Sequence, residues 1–438
     1  MPLLSCLSRT WSHIQGTLFP WLTEELGPLT ETHKRVVTAL EVAGVEAFVR
    51  VWPGLPGRPP CDRAALARAF VAKAVIRLPT TVMLIDRLTV DKPLRRLCGW
   101  EHRGELPSET TFSRAFAEFA RSALPCRLHE ALIKRAYKDR LVGHISRDAT
   151  AIEGREKPVK SAPPAASTPV RPKRKRGRPR KGEVVETKEP RRLERQASMS
   201  LAAMLADLPK HCAVGTKRNA KGHTTSWIGY KLHLDVADGD IPISAILTSA
   251  SLHDSQAAIP LATMTASRVI NLYDVMDSAY DAPEIKAKCL GLGHAPIIEA
   301  HPRSVPGGKE AIAAEALARR TAGYALAEEV RYNERSAAER INGSLKDDFG
   351  ARYVRVRSHA KVFCHLMFGI LALTIDPDAV GHLIPDSAAA AATIRFPGSA
   401  PSLPSNSPRN CRCAKNKACR VPPPSHNAST RRPLKITR

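Results

Sequence analysis

The stretch "SWIGYKLHLDVADGDIPISAILTSA" constrains the fold more than any other part of the chain. Ile228, Tyr230, Leu232, Leu234 and Val236 alternate with Gly229, Lys231, His233 and Asp235, a period of two that an extended strand satisfies and a helix does not. "ADGD" supplies a turn and "IPISAILTSA" a second apolar run, which together predict a β-hairpin. A helix over 254–265 follows, then an apolar strand in "RVINLYDVM", a turn into a helix in "DSAYDAPEIKAKCLGLG" and a short buried strand in "APIIEA". Strands that first meander and then alternate with helices predict an α/β layout, a mixed sheet flanked by helices.

The chain upstream has the other period. From Asp62, "DRAALARAFVAKAVIRL" places apolar residues three and four apart behind an Asp cap, and Phe112, Phe116 and Phe119 share one face of a later helix. This predicts a small all-α module over 62–140, preceded by an irregular extension over 1–61 that ends in "WPGLPGRPP". A helix-turn-helix-like role in reading DNA and a plain scaffold fit the pattern equally. The period turns extended again in "LVGHISRDATAIE", and 141–376 makes up the sheet-bearing domain. Within it, about 157–204 is rich in Pro, Ala, Ser and charge with little to bury, and is expected to be a disordered insertion. The Ala/Pro/Ser-rich stretch 377–438 is expected to be a low-complexity tail.

A net charge of +25 calls for an acidic partner, and nucleic acid is the commonest. No run of about 18 apolar residues offers a membrane span, and "VFCHLMFGILALTI", broken by Cys364 and His365, reads as a buried helix. The start of the chain lacks the features of a secretory signal, and most cysteines have no pair spacing, as expected of free thiols in the cytoplasm. Cys411, Cys413 and Cys419 are clustered but want a fourth zinc ligand, with His426 the nearest.

Three acids stand out by position. Asp148 and Asp277 are read at the ends of strands, where ligands gather in α/β sheets, and Glu339 lies in "RYNERSAAERINGSLKDDFG". Converging carboxylates repel one another unless divalent cations neutralise them, and Mg²⁺ or Mn²⁺ suits an oxygen donor set. A lone Asp after a strand is more often a turn former, and Asp274 rivals Asp277. Tyr332, Arg335, Glu339 and Lys346 stand at offsets that project, at about 100° per residue, within roughly 60° of one another on a helix. Such a face is either an exposed charged surface or a grip on metal and phosphate.

The order Asp…Asp…Glu, with Tyr332, Arg335, Glu339 and Lys346 in Tyr-x2-Arg-x3-Glu-x6-Lys spacing, resembles the DDE transposases of bacterial insertion sequences. "DVMDSAYDAPE" is similar to that family's Asp-x2-Tyr-Asp turn and favours Asp277; "SRDATAIE" is similar to its Asp-x-Thr pattern and places Asp148. The resemblance implies an RNase H-like fold, and two Mg²⁺ or Mn²⁺ ions held by Asp148, Asp277 and Glu339 for cleavage and strand transfer of DNA. Tyr332, Arg335 and Lys346 would then hold the DNA backbone, with Lys231 a weaker candidate. It further implies terminal inverted repeats and target DNA as partners, a homo-oligomer on paired ends, and a place at the nucleoid. A catalytically inactive or domesticated DNA-binding protein of the same descent is the alternative, and the atypical tail keeps it open. Within the basic run "RPKRKRGRPRKGE", Arg176, Gly177, Arg178 and Pro179 resemble an AT-hook, whose extended strip enters the narrow minor groove of A·T tracts. Read this way the run is a tether, not the chemistry.

Overall fold

Helical periodicity upstream and strand periodicity downstream build two halves that share a core. The computed structural model describes residues 14–49, 61–137, 140–159, 190–218, 222–301, 305–324 and 326–375. The first half holds α1 (Phe19–Leu26), α2 (Glu31–Ala43), α3 (Arg63–Val75), α4 (Thr81–Val90), α5 (Lys92–Cys98), α6 (Glu109–Arg121) and α7 (Leu124–Tyr137). Asp62 caps α3 as predicted, its carboxylate accepting from Ala64 N at 2.8 Å. The boundary expected at residue 61 does not hold structurally. Val36, Ala39 and Val42 of α2 pack into the same core as α3, because three valines and two alanines at helical spacing give α2 an apolar face.

The second half is a six-stranded sheet: β1 (Leu141–Glu153), β2 (Ala213–Arg218), β3 (Thr224–Ala237), β4 (Ile241–Ser249), β5 (Ile270–Met276) and β6 (Ala295–Ile298). Its order is β2-β3-β1-β5-β6, with β4 also on β3. β1 runs antiparallel to β3 and parallel to β5. The hairpin is β3–β4, and its turn takes Gly239 and Asp240 to φ of 77° and 62°, which the Asp-Gly-Asp sequence accommodates. Helices cover both faces, and α11 (Pro283–Gly291) follows β5 while α12 (Gly308–Thr321) follows β6. Tyr230, Leu232 and Leu234 join the core that includes α14 (Ser336–Asp347) and α15 (His359–Ile375), whereas Asp235 on the other face meets Thr265 of α10 (Ser255–Ala266). The structure is thus a mixed sheet flanked by helices behind an all-α region, consistent with an RNase H-like DDE domain.

The two halves are joined by aromatics. Phe70 of α3 stacks on Phe368 of α15 at 5.9 Å and 29°, and meets Phe112, Phe116 and Phe119 of α6. The apolar run over 362–375 is therefore a buried helix, as predicted, and it plugs the helical module.

The stretch read as an insertion, about 157–204, is structured at its C-terminal end. Residues 190–204 are not disordered: α8 (Arg192–Gln196) and α9 (Leu201–Asp207) dock beside α10, with Arg192 on Asp207 at 2.6 Å and Met204 fully buried. A few apolar anchors and the ion pairs of Arg191, Arg192 and Arg195 suffice where composition looked barren. The Arg176–Pro179 motif, the cysteines at 411–419 and the tail lie outside the described residues.

Candidate active site

Asp148 is not at a strand end. It sits mid-strand in β1, paired with Leu234 of β3, because β1 runs on to Glu153. Alternation sends Ser146, Asp148 and Thr150 to the face that α14 covers. Ser146 fixes that helix: its hydroxyl donates to the Arg335 carbonyl at 2.7 Å and accepts from Ala338 N at 3.3 Å. Glu339 is one residue further on. Asp277 follows β5 directly and caps a 3-10 turn, its Oδ1 accepting from Ala279 N at 3.0 Å.

Asp148, Asp277 and Glu339 line one cleft of about 480 Å³, together with Arg335, Lys346 and Lys217. Burial, followed by the charges of Asp277 and Glu339, pushes the Asp148 carboxyl up to about 6. Burial and the charge of Asp254 raise Asp277. Burial, then Arg352 and Lys217, lowers Lys346. Glu339, 53% exposed, pairs with Arg335 across one helical turn at 2.8 Å. Asn342 donates from Nδ2 to Asp148 Oδ2 at 3.1 Å, while its Oδ1 is buried without a hydrogen-bond partner.

The rival Asp274 lies on the opposite face, 1% exposed and bound to His294 at 3.0 Å; it does not line the cleft. Tyr332 stands apart too. A 3-10 turn over Asn333–Arg335 separates α13 (Ala327–Tyr332) from α14, so one uniform helical step does not run through the segment. The Tyr332 hydroxyl meets Glu299 at 3.1 Å, and its ring lies 5.7 Å from the Arg335 guanidinium. Lys231 is spent internally: Nζ donates to the Leu252 carbonyl and pairs with Asp254, both at 2.8 Å. Lys217 and Asn342 escaped sequence reading. "AVGTKR" is a short strand whose alternation was the available signal, and Asn342 stands three residues after Glu339, on the same side of α14.

Among the described residues no group of three His, Cys, Asp or Glu is close enough to hold a metal ion. The donor chemistry nevertheless fits a hard cation: two carboxyls raised by burial and nearby negative charge, a third acid in the same cleft and the orphaned Asn342 Oδ1. No helix among the described residues is long and apolar enough to cross a membrane.

Two family models match. Residues 208–375 match the one described as "Transposase DDE domain", and residues 29–118 match "Transposase domain (DUF772)". The first covers Asp277 and Glu339 but begins after Asp148; the second starts between α1 and α2 and so includes α2, in line with the packing of α2 on α3. No curated protein and no solved structure matches the chain. With a transposase-type helical region ahead of a transposase DDE domain, the chain belongs to the DDE transposases of insertion sequences.

Proposed function

We propose that the protein binds the ends of an insertion sequence and catalyses divalent-metal-dependent strand cleavage and strand transfer. The observation that carries this reading is the meeting of Asp148, Asp277 and Glu339 in one cleft with three cations, Lys217, Arg335 and Lys346. The three acids would hold two Mg²⁺ or Mn²⁺ ions. When bound, such ions polarise the scissile phosphate and lower the pKa of the water or hydroxyl that attacks it. The chain's own residues do the rest. Asn342 holds the Asp148 carboxylate in place, and Lys217, Lys346 and Arg335 take phosphate oxygens. Within the cleft, Glu339 gains freedom to turn toward Asp148 and Asp277 when a phosphate claims Arg335. Tyr332 braces Arg335 from behind.

DNA would be gripped by the helical module and by the basic run over 171–181, and pairing of two ends calls for at least two copies of the chain. A protein with this substrate works at the nucleoid, in the cytoplasm. The test is a labelled end substrate with Mg²⁺ or Mn²⁺, given to the wild type and to Asp148→Asn and Glu339→Gln. Both variants are expected to bind ends as the wild type does and to lose cleavage. Cleavage that survives both substitutions overturns the metal assignment. A wild type that binds ends but cuts under no divalent metal makes the protein a non-catalytic DNA binder.

A further inference from the structure

Backbone pairing stops short of the acids. The parallel ladder between β1 and β5 runs from Leu141–Ile270 to Ser146–Val275, two residues before Asp148 and two before Asp277. Beyond that point main-chain hydrogen bonds no longer fix the distance between the two strands. On the reverse face, at just this level, stands Arg147. It is 1% exposed, and its fork bonds Asp235 of β3 twice: Nε to Oδ1 at 2.7 Å and Nη2 to Oδ2 at 2.8 Å. Nη1 reaches Met276 Sδ at 3.2 Å, and Nη2 lies 3.6 Å from Asp274 Oδ1. Both of these contacts are to β5, and Met276 is the residue before Asp277. Asp235 is steadied in turn by Thr265 at 2.6 Å, and Asp274 by His294 at 3.0 Å.

We infer that Arg147 is a positioning residue for Asp148 and Asp277, setting their spacing by tying β1, β3 and β5 together where the ladder ends. The inference rests on the proposed function. A fully buried ion pair gives little net stability over apolar side chains of the same volume, so stability does not explain a charged staple here. What a guanidinium adds is direction: a planar fork that satisfies Asp235 only in one orientation points its remaining edge at β5. An apolar side chain would fill the space without dictating the distance.

The experiment compares the wild type, Arg147→Lys, the paired change Arg147→Met with Asp235→Asn, and Asp148→Asn. Mn²⁺ binding to the full-length protein is followed by electron paramagnetic resonance, and cleavage of an end substrate is read in single turnover. Lysine keeps the charge and loses the fork. It is expected to fold, to weaken Mn²⁺ binding about 10-fold and to slow cleavage about 10- to 100-fold, with end binding unchanged. The paired change removes both charges and is expected to match or exceed those losses at a melting temperature near the wild type. Wild-type Mn²⁺ affinity and cleavage rate in Arg147→Lys overturn the inference, whether or not the paired variant folds. A wild type that binds no Mn²⁺, or an Asp148→Asn variant that binds it unchanged, removes the proposed function instead.

Discussion

Two groups of acids flank β1, and they differ in whether a buried cation meets them. On one face Asp235 and Asp274 are fully buried, yet each is met by Arg147, with Thr265 on Asp235 and His294 on Asp274. On the other face Asp148 and Asp277 are raised by burial and by like charge, and accept from Asn342 and from Ala279 N; burial raises Asp235 as well, but there Arg147 works against it. Nearly identical side chains, an alternation apart, thus play opposite parts. A buried charge with its partner present holds structure, whereas a charge left under-compensated is held ready for something that has yet to bind.

The sharpest way to break that comparison is to neutralise Asp277 and Asp274 in turn. Asp277→Asn should lower end cleavage on the order of 10³-fold or more, with no loss of melting temperature. Asp274→Asn should do the reverse, costing stability while cleavage per folded molecule changes far less. Equal effects of both on cleavage would dissolve the distinction. Next comes the paired face alone. Asp235→Leu leaves Arg147 buried without its bidentate partner and should destabilise by about 3–5 kcal/mol in denaturant unfolding.

Lys73 in the helical module extends the rule to a third place. It is 9% exposed, its ammonium has no hydrogen-bond or ion-pair partner among the described residues, and burial lowers it from 10.5 to about 8. Between those two values the unfolded chain holds more protons, so wild-type stability rises with pH across that window. Below pH 8 the full cost applies, about 3 kcal/mol. Lys73→Met should therefore raise the melting temperature at pH 7, and the gain should shrink toward zero as pH climbs to 10.5. A pH-independent gain would mean that packing, not charge, is responsible. The smallest effect concerns the tether. Deleting residues 160–189 should leave metal-dependent cleavage of a short end intact and flatten the salt dependence of DNA binding by a few phosphates' worth of slope.

Much of this was legible in the chain. Alternation around Tyr230–Val236 and the Asp-Gly-Asp turn dictated the hairpin, and Phe112, Phe116 and Phe119 announced a buried face. What stayed hidden depends on long-range partners. Met204 and Gln196 look like linker residues until Ile259 and Gln256 are brought beside them. Spacing alone could not separate Asp277 from Asp274, since strand parity decides which face each one meets. Lys217 reaches the cleft only because β2 folds back along β3.

The stacking of Phe368 on Phe70 has a mechanical consequence. The plug of the helical module is the last described helix of the domain that carries the acids, so neither part closes its core alone. On the proposed function, a strand gripped by the module would be held at a set distance from the cleft, as between the jaws of a caliper. The distance from the bound sequence to the cut would then be a dimension of the protein, to be altered by reshaping that aromatic joint and not by lengthening a linker.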